Sequence, residues 1–187
     1  MAAVQLRPPS PPLSDELVVL RPWTLDDVPA LATACDEPEI ARWIHQIPSP
    51  YDERHAREYV LATQDAWREG TGAFFAVEHN AVGLVGSIAI HVANEDAATV
   101  EVGYWTAARA RGRGLTTRAL RLISRWALEE LAVARIQLRA DVLNLGSLRV
   151  AEKAGYRREG TLRSAGFNER QNRRIDYAVF SLLPGEI

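Results

Sequence analysis

The residue types best suited to chemistry stand together in one short run, Arg111-Gly112-Arg113-Gly114-Leu115-Thr116. Glycines have no side chain, so backbone N–H groups there can approach a ligand closely. The run opens into a segment where Ala119, Leu120, Ile123, Trp126, Ala127 and Leu131 recur at helical spacing. The first N–H groups of such a helix have no intrahelical acceptor and attract anions, and Arg111 and Arg113 add positive charge. The chemistry implied is the binding of a phosphate or pyrophosphate. A Walker loop is excluded because no lysine is present, and the dinucleotide fingerprint fails because Thr117 stands where a third glycine is needed. A basic surface turn that only caps a helix remains the alternative on these six residues.

The elements that would position the run are legible on both sides. Thr99-Val100-Glu101-Val102-Gly103-Tyr104-Trp105-Thr106 is β-branched and aromatic and predicts a strand leading into the loop. Before it, Leu17–Pro22 predicts a first strand, Thr24 starts a helix carrying Val28, Leu31, Ala32 and Cys35, and Ile40–Ile47 is stopped by Pro48. Asp52 opens a helix with Ala56, Tyr59, Val60, Thr63 and Trp67 on one face, ended by Gly70. Strands at 73–78 and 82–92 and a polar turn at Asn94-Glu95-Asp96 complete a three-strand antiparallel meander. After the central helix, Ile136, Leu138, Ala140 and Val142 alternate with polar residues, a short helix spans 148–154, and strands at 156–163 and 175–182 flank a polar loop, Ser164 to Arg174. The expected order is β-α-α-β-β-β-α-β-α-β-β.

The chain's 187 residues, 47% hydrophobic and 25% charged, fit one soluble globular domain. Its net charge of −2 gives no electrostatic case for nucleic acid as a partner. With one cysteine, Cys35, no intramolecular disulfide can form, which points to the cytoplasm; the thiol reads as a small buried hydrophobe. No apolar run is long enough to span a membrane. His45, His55, His79 and His91 have no metal-ligand spacing, so no metal is expected. Residues 1–14, with Pro8, Pro9, Pro11 and Pro12, predict a disordered proline-rich arm ahead of a single domain over 15–187.

Several marks in order carry a resemblance: Leu20-Arg21-Pro22 with Asp26-Asp27, Glu101-Val102-Gly103-Tyr104, the arginine–glycine loop close to the pattern Arg/Gln-x-x-Gly-x-Gly/Ala with Thr116 a small-residue substitute at its last position, Asn144-x-x-Ser147, and Glu152-Lys153-Ala154-Gly155-Tyr156. The chain resembles the GCN5-related N-acetyltransferase (GNAT) superfamily over most of its length, and within it the ribosomal-protein N-terminal acetyltransferase (RimJ/RimL-like) branch. The resemblance implies the GNAT fold of the α+β (α/β) class: a central, mostly antiparallel mixed sheet, splayed at the acyl-CoA site and flanked by helices. It implies transfer of an acetyl group from acetyl-CoA to a primary amine by direct attack in a ternary complex, and a homodimer through sheet edges.

The resemblance also assigns roles. The pyrophosphate would rest on the loop from Arg111 through Gly112, Arg113, Gly114, Leu115 and Thr116. The pantetheine arm would pair with the backbone of Tyr104, Trp105 and Thr106, and Asn144 would bind its amide. Glu101, in an otherwise apolar strand where burial would raise its pKa, is the expected base; an ion pair with an arginine is the alternative. Some relatives use a glutamate five residues before the asparagine, but Arg139 stands there. Many use a tyrosine seven residues after it, but Ala151 stands there. Ser147 is the branch's substitute, donating to the thiolate, and is also a candidate helix cap. Arg118, Arg121 and Arg125 read as a solvated stripe, with contact to the nucleotide phosphate as the alternative, for which Lys153 competes. Trp43, His45 and Tyr51 are expected to line the acceptor pocket. The missing tyrosine motivates a second reading, a CoA-binding sensor without turnover. A nucleotide-binding fold unrelated to acetyltransferases is the third.

Overall fold

The computed structural model describes residues 6–94 and 98–187. The proline-rich start up to residue 5 and most of the polar turn expected at 94–96 lie outside the described residues. One eight-stranded sheet runs through the molecule in the order β1-β2-β3-β4-β5-β6-β8-β7. Its strands are β1 Leu13–Ser14, β2 Val18–Pro22, β3 Gly72–His79, β4 Gly83–Asn94, β5 Thr99–Thr106, β6 Arg135–Asp141, β7 Arg157–Asn168 and β8 Arg173–Leu182. The helices are α1 Val28–Cys35, α2 Pro38–Trp43, α3 Glu53–Glu69, α4 Leu115–Glu129 and α5 Leu145–Lys153. All neighbouring strands are antiparallel except β5 and β6, which α4 connects as a parallel crossover.

Two apolar layers cover the sheet. On one side α4 buries Ala119, Leu120, Ile123, Trp126 and Ala127, the stripe read from its periodicity. Trp126 meets Phe75 edge-on at 5.7 Å, and Phe75 meets Trp67 at 5.2 Å. On the other side α1 and α3 pack Trp23, Leu31, Cys35, Ala56 and Val60 together.

The parallel pair is short. Thr99, Val100 and Glu101 face Arg135, Ile136 and Gln137, and the pairing stops there. Beyond it β5 stays with β4 as far as Gly86↔Thr106, while β6 stays with β8 as far as Asp141↔Tyr177. Each strand follows a different partner and the sheet opens into a wedge. This is the splay that the resemblance implies.

Four expectations need correction. The arm over 1–14 is ordered at its inner end: Leu6 is 2% exposed in the core and Leu13–Ser14 forms β1 on β2. A lone apolar residue among prolines gives no periodicity, so its burial was not legible. α2 ends at Trp43, well before Pro48. The late loop is a strand: β7 runs to Asn168 with an irregularity between Leu162 and Gly166, leaving only 169–172 as the turn. Finally, α5 begins at Leu145 because Asn144 caps it, its Oδ1 accepting from the Ser147 amide at 3.1 Å. Ser147 therefore sits inside the helix and is not its cap.

The Arg21/Asp27 mark is a structural clamp. Asp27, 7% exposed, takes both terminal nitrogens of Arg21 at 2.8 Å and the Thr24 amide at 2.9 Å. Burial pushes its carboxyl up, yet Arg21 and the Thr24 amide outweigh this and hold it below the ordinary value. A lowered folded-state pKa means stability that is present above the unfolded value, about 4, and lost as pH falls through the folded one. Asp27→Ala is expected to cost about 2 kcal/mol in urea denaturation at pH 7. The gap to the wild type should narrow below about pH 4.

Candidate active site

The loop before α4 has the backbone that its glycines predict. Gly112 and Gly114 hold φ of +73° and +76°, a left-handed conformation that L side chains adopt at a cost. Gly114 is the N-cap of α4, and the first helix bond is Arg118 N–H to Gly114 O at 3.1 Å. The amides of Gly114, Leu115, Thr116 and Thr117 find no acceptor among the described residues. The side chain of Leu115 is 2% exposed in the core, so only its backbone can serve a ligand. Thr116 Oγ1 lies 2.5 Å from Thr106 Oγ1, tying the helix start to the end of β5.

The two loop arginines differ. Arg111 donates to Glu37 Oε2 at 2.9 Å and to the Thr106 carbonyl at 3.1 Å, and Glu37 also accepts from the Ala108 amide at 2.9 Å. Its guanidinium therefore braces the loop against the segment between α1 and α2, its charge partly countered by Glu37. Sequence gave no signal for Glu37. Arg113 is exposed and has no ion pair among the described residues. Beside Gly114 and Thr117 a groove of about 500 Å³ is lined by Arg118, Arg121, Arg125 and Lys153. Arg118 is paired with Asp15 at 2.9 Å and Arg121 donates to the Lys153 carbonyl. The arginine stripe, with Arg121 and Arg125 exposed to solvent, walls a basic groove that continues the loop.

The wedge itself is a cleft of about 560 Å³. Glu101, Tyr104 and Trp105 line one side, Arg139 the other, with Asn144 and Ser147 from the start of α5. Ser147 Oγ lies 3.0 Å from the Tyr104 hydroxyl, which also reaches the Ser147 carbonyl at 3.2 Å. Trp43, His45 and Phe167 close the far end, but Tyr51 does not reach it. Tyr51 is 8% exposed in the second core, its amide held by Asp36 at 2.9 Å.

Glu101 is not the lone buried carboxylate expected. Its side chain is 27% exposed and Arg139 grips it at 3.0 Å through Nε and 2.9 Å through Nη2, with Gln137 Nε2 at 3.3 Å. The parallel register that brings β6 beside Glu101 supplies those donors and could not be read from either strand alone. His91 is the residue sequence reasoning missed. It stands directly opposite Glu101 in the β4–β5 register, so both project from the same face, and it meets Phe74 edge-on at 4.8 Å. His91 lies on the exposed end of β4, where partial desolvation draws its imidazole below the ordinary value against the opposing pull of Glu101. Cys35 is outside this chemistry: burial, then Glu37, pushes its thiol up to about 12.

An open parallel strand pair, continued by a loop that offers free amides and a basic groove, is the plan of a coenzyme A-dependent acyltransferase. Residues 18–157 match the family model for the acetyltransferase (GNAT) domain, and the chain belongs to that family. It is 23% identical over 175 residues to "Uncharacterized N-acetyltransferase p20" of Bacillus licheniformis, covering 93% of this chain and 97% of that one. It is 27% identical over 154 residues to Bacillus subtilis YdaF, provisionally named a ribosomal N-acetyltransferase, covering 81% of each. The fold superposes on Mycobacterium smegmatis RimJ in complex with CoA-disulfide with a TM-score of 0.82, at 21% identity over 91% of this chain and 83% of that one. Two of these similar proteins carry RimJ or ribosomal N-acetyltransferase names, and acetyl-CoA is the co-substrate of the family. Among the described residues no helix is long and apolar enough to cross a membrane.

Proposed function

We propose that this N-acetyltransferase moves the acetyl group of acetyl-CoA onto a primary amine, that of a protein or peptide N-terminus or of a small molecule, by direct attack in a ternary complex. The observation that carries the proposal is the wedge between β5 and β6, open beside a loop of unpaired amides. The diphosphate rests on the amides from Gly112 to Thr117, where a helix start stabilises an anion. The pantetheine arm enters the wedge along the backbone edge of Tyr104–Thr106, where β6 has turned away and Arg111 holds the Thr106 carbonyl, with Asn144 beside it. That edge also supplies an N–H to the thioester carbonyl as charge grows on its oxygen. The new N–C bond forms as the C–S bond breaks, and the thiolate leaves towards the Ser147 hydroxyl.

The amine must lose a proton. The base expected from sequence, Glu101, has both oxygens taken by Arg139 and Gln137. His91, opposite it at the exposed end of β4 with its pKa drawn down, takes the proton through water, while Glu101 holds Arg139 in place. Because the folded-state pKa of His91 lies below about 6.5, the acid limb of kcat/KM should have its midpoint below that value. His91→Gln is expected to lower kcat/KM about 30-fold and remove that limb, below the usual ~10²–10⁴ of a general base because a chain N-terminus is already partly neutral. Glu101→Gln should cost less. A larger loss in Glu101→Gln, with the limb intact in His91→Gln, would return the role to Glu101.

Acetyl-CoA at a hundred times its dissociation constant should add about 2.7 kcal/mol to stability. For a chain of this size that is roughly 5–10 °C in Tm. Release of CoA thiol should then follow on mixing with one of a panel of N-terminal peptides and small amines. No shift at millimolar acetyl-CoA would reject the proposal. Binding without release across the panel would favour the sensor.

A further inference from the structure

The family's usual tyrosine is absent: position 151 is alanine, fully buried in the core. A phenol nevertheless reaches the same helix from the opposite wall of the wedge. Tyr104 projects from β5 and places its hydroxyl 3.0 Å from Ser147 Oγ and 3.2 Å from the Ser147 carbonyl. We propose that Tyr104 is the positioning residue for the thiolate leaving group: its O–H donates to Ser147 Oγ, so that the serine hydroxyl turns its own hydrogen into the cleft, towards the sulfur. This rests on the acetyl-transfer reading above.

Ser147 Oγ at 3.0 Å and the Ser147 carbonyl at 3.2 Å compete for the single phenolic hydrogen, and the nearer oxygen is the hydroxyl. A serine hydroxyl has one hydrogen and two acceptor lone pairs. Left alone on a helix it tends to bond back to a backbone carbonyl in the preceding turn. With Tyr104 donating to its oxygen, the hydroxyl is held by an acceptor site and its hydrogen is directed elsewhere. The backbone at this point is already committed: the Ser147 amide is given to Asn144 Oδ1 at 3.1 Å, which fixes the first turn of α5. Tyr104 is itself fixed by packing against the main core. Both hydroxyls line the same cleft as Asn144 and the splayed strand.

The pair stabilises the thiolate but does not protonate it. Burial pushes the phenol up to about 12, opposed by the bond to Ser147. An ordinary thiol titrates near 8.5, so a proton would not pass from the phenol to the sulfur. The sulfur leaves as a thiolate holding the serine hydrogen bond, and takes its proton later from water. No proton is lost by Tyr104 or Ser147, so neither needs to be recharged.

Titrating enzyme-bound CoA by its thiolate absorbance reads this without any acceptor amine. Ser147→Ala should raise the midpoint of the bound thiol by about two pH units, the upper worth of a hydrogen bond to a charge. Tyr104→Phe should raise it by about half a unit, because the serine remains but is no longer aimed. The double variant should match Ser147→Ala alone. Circular dichroism should stay at the wild-type value in Tyr104→Phe, which keeps the ring and its packing. A wild-type midpoint in Tyr104→Phe, or a double variant whose shift is the sum of the two, overturns the inference. CoA that binds and titrates as expected with no turnover of any amine would reject the transferase reading and leave this one standing.

Discussion

Gly114→Glu is expected to abolish the thermal shift by acetyl-CoA. A Cβ at Gly114 meets nothing within 4 Å, so the variant can fold. Strain from an L residue at φ +76° costs about 1–2 kcal/mol of stability. The larger effect is electrostatic. The new carboxylate stands at the helix N-terminus, where the diphosphate is to rest. Two unit charges about 4 Å apart repel by roughly 4 kcal/mol at an effective dielectric of about 20. That is about 10³-fold in affinity per facing charge, enough to erase the shift at any usable concentration. Gly114→Ala separates the two causes. It carries the strain without the charge, so its Tm falls while the acetyl-CoA shift persists. Equal loss of binding in both variants would assign the effect to backbone geometry alone.

Ser147→Ala is expected to lower kcat about 10²-fold, in line with the loss of one hydrogen bond to developing charge. KM for acetyl-CoA should change little, because the hydroxyl contributes only when the sulfur acquires charge. The helix should survive: Asn144 is the cap, and alanine is a strong helix former inside the first turn. Steady-state kinetics with acetyl-CoA varied at saturating amine separates kcat from KM. A rise in KM at constant kcat would place Ser147 in binding and remove it from the chemical step.

How far the sequence carried can be argued from these residues. The loop was legible because its requirements are local. Positive φ calls for glycine, a helix start follows at once, and the apolar stripe of α4 repeats at one period. Glu101 shows the limit. Its alternation placed it on a strand face, but Arg139 lies in another strand, and which arginine meets it depends on a parallel register of only three residue pairs. His91 was invisible for the same reason, since its place opposite Glu101 is a property of pairing. Glu37 braces Arg111 from far along the chain with no local pattern at all. β7 was misread at its far half because an edge strand that is exposed along most of its length shows no buried-face alternation, and Ser164 and Gly166 then resemble a loop. The tyrosine missing at Ala151 also misled, because the hydroxyl arrives from β5 across the wedge.

A crystal grown with CoA tests the central claim most directly. The diphosphate oxygens should lie within hydrogen-bonding distance of the amides between Gly112 and Thr117, with the pantetheine running into the wedge beside Tyr104 and Asn144. A diphosphate bound anywhere else on the molecule, with those amides left empty, would contradict the account.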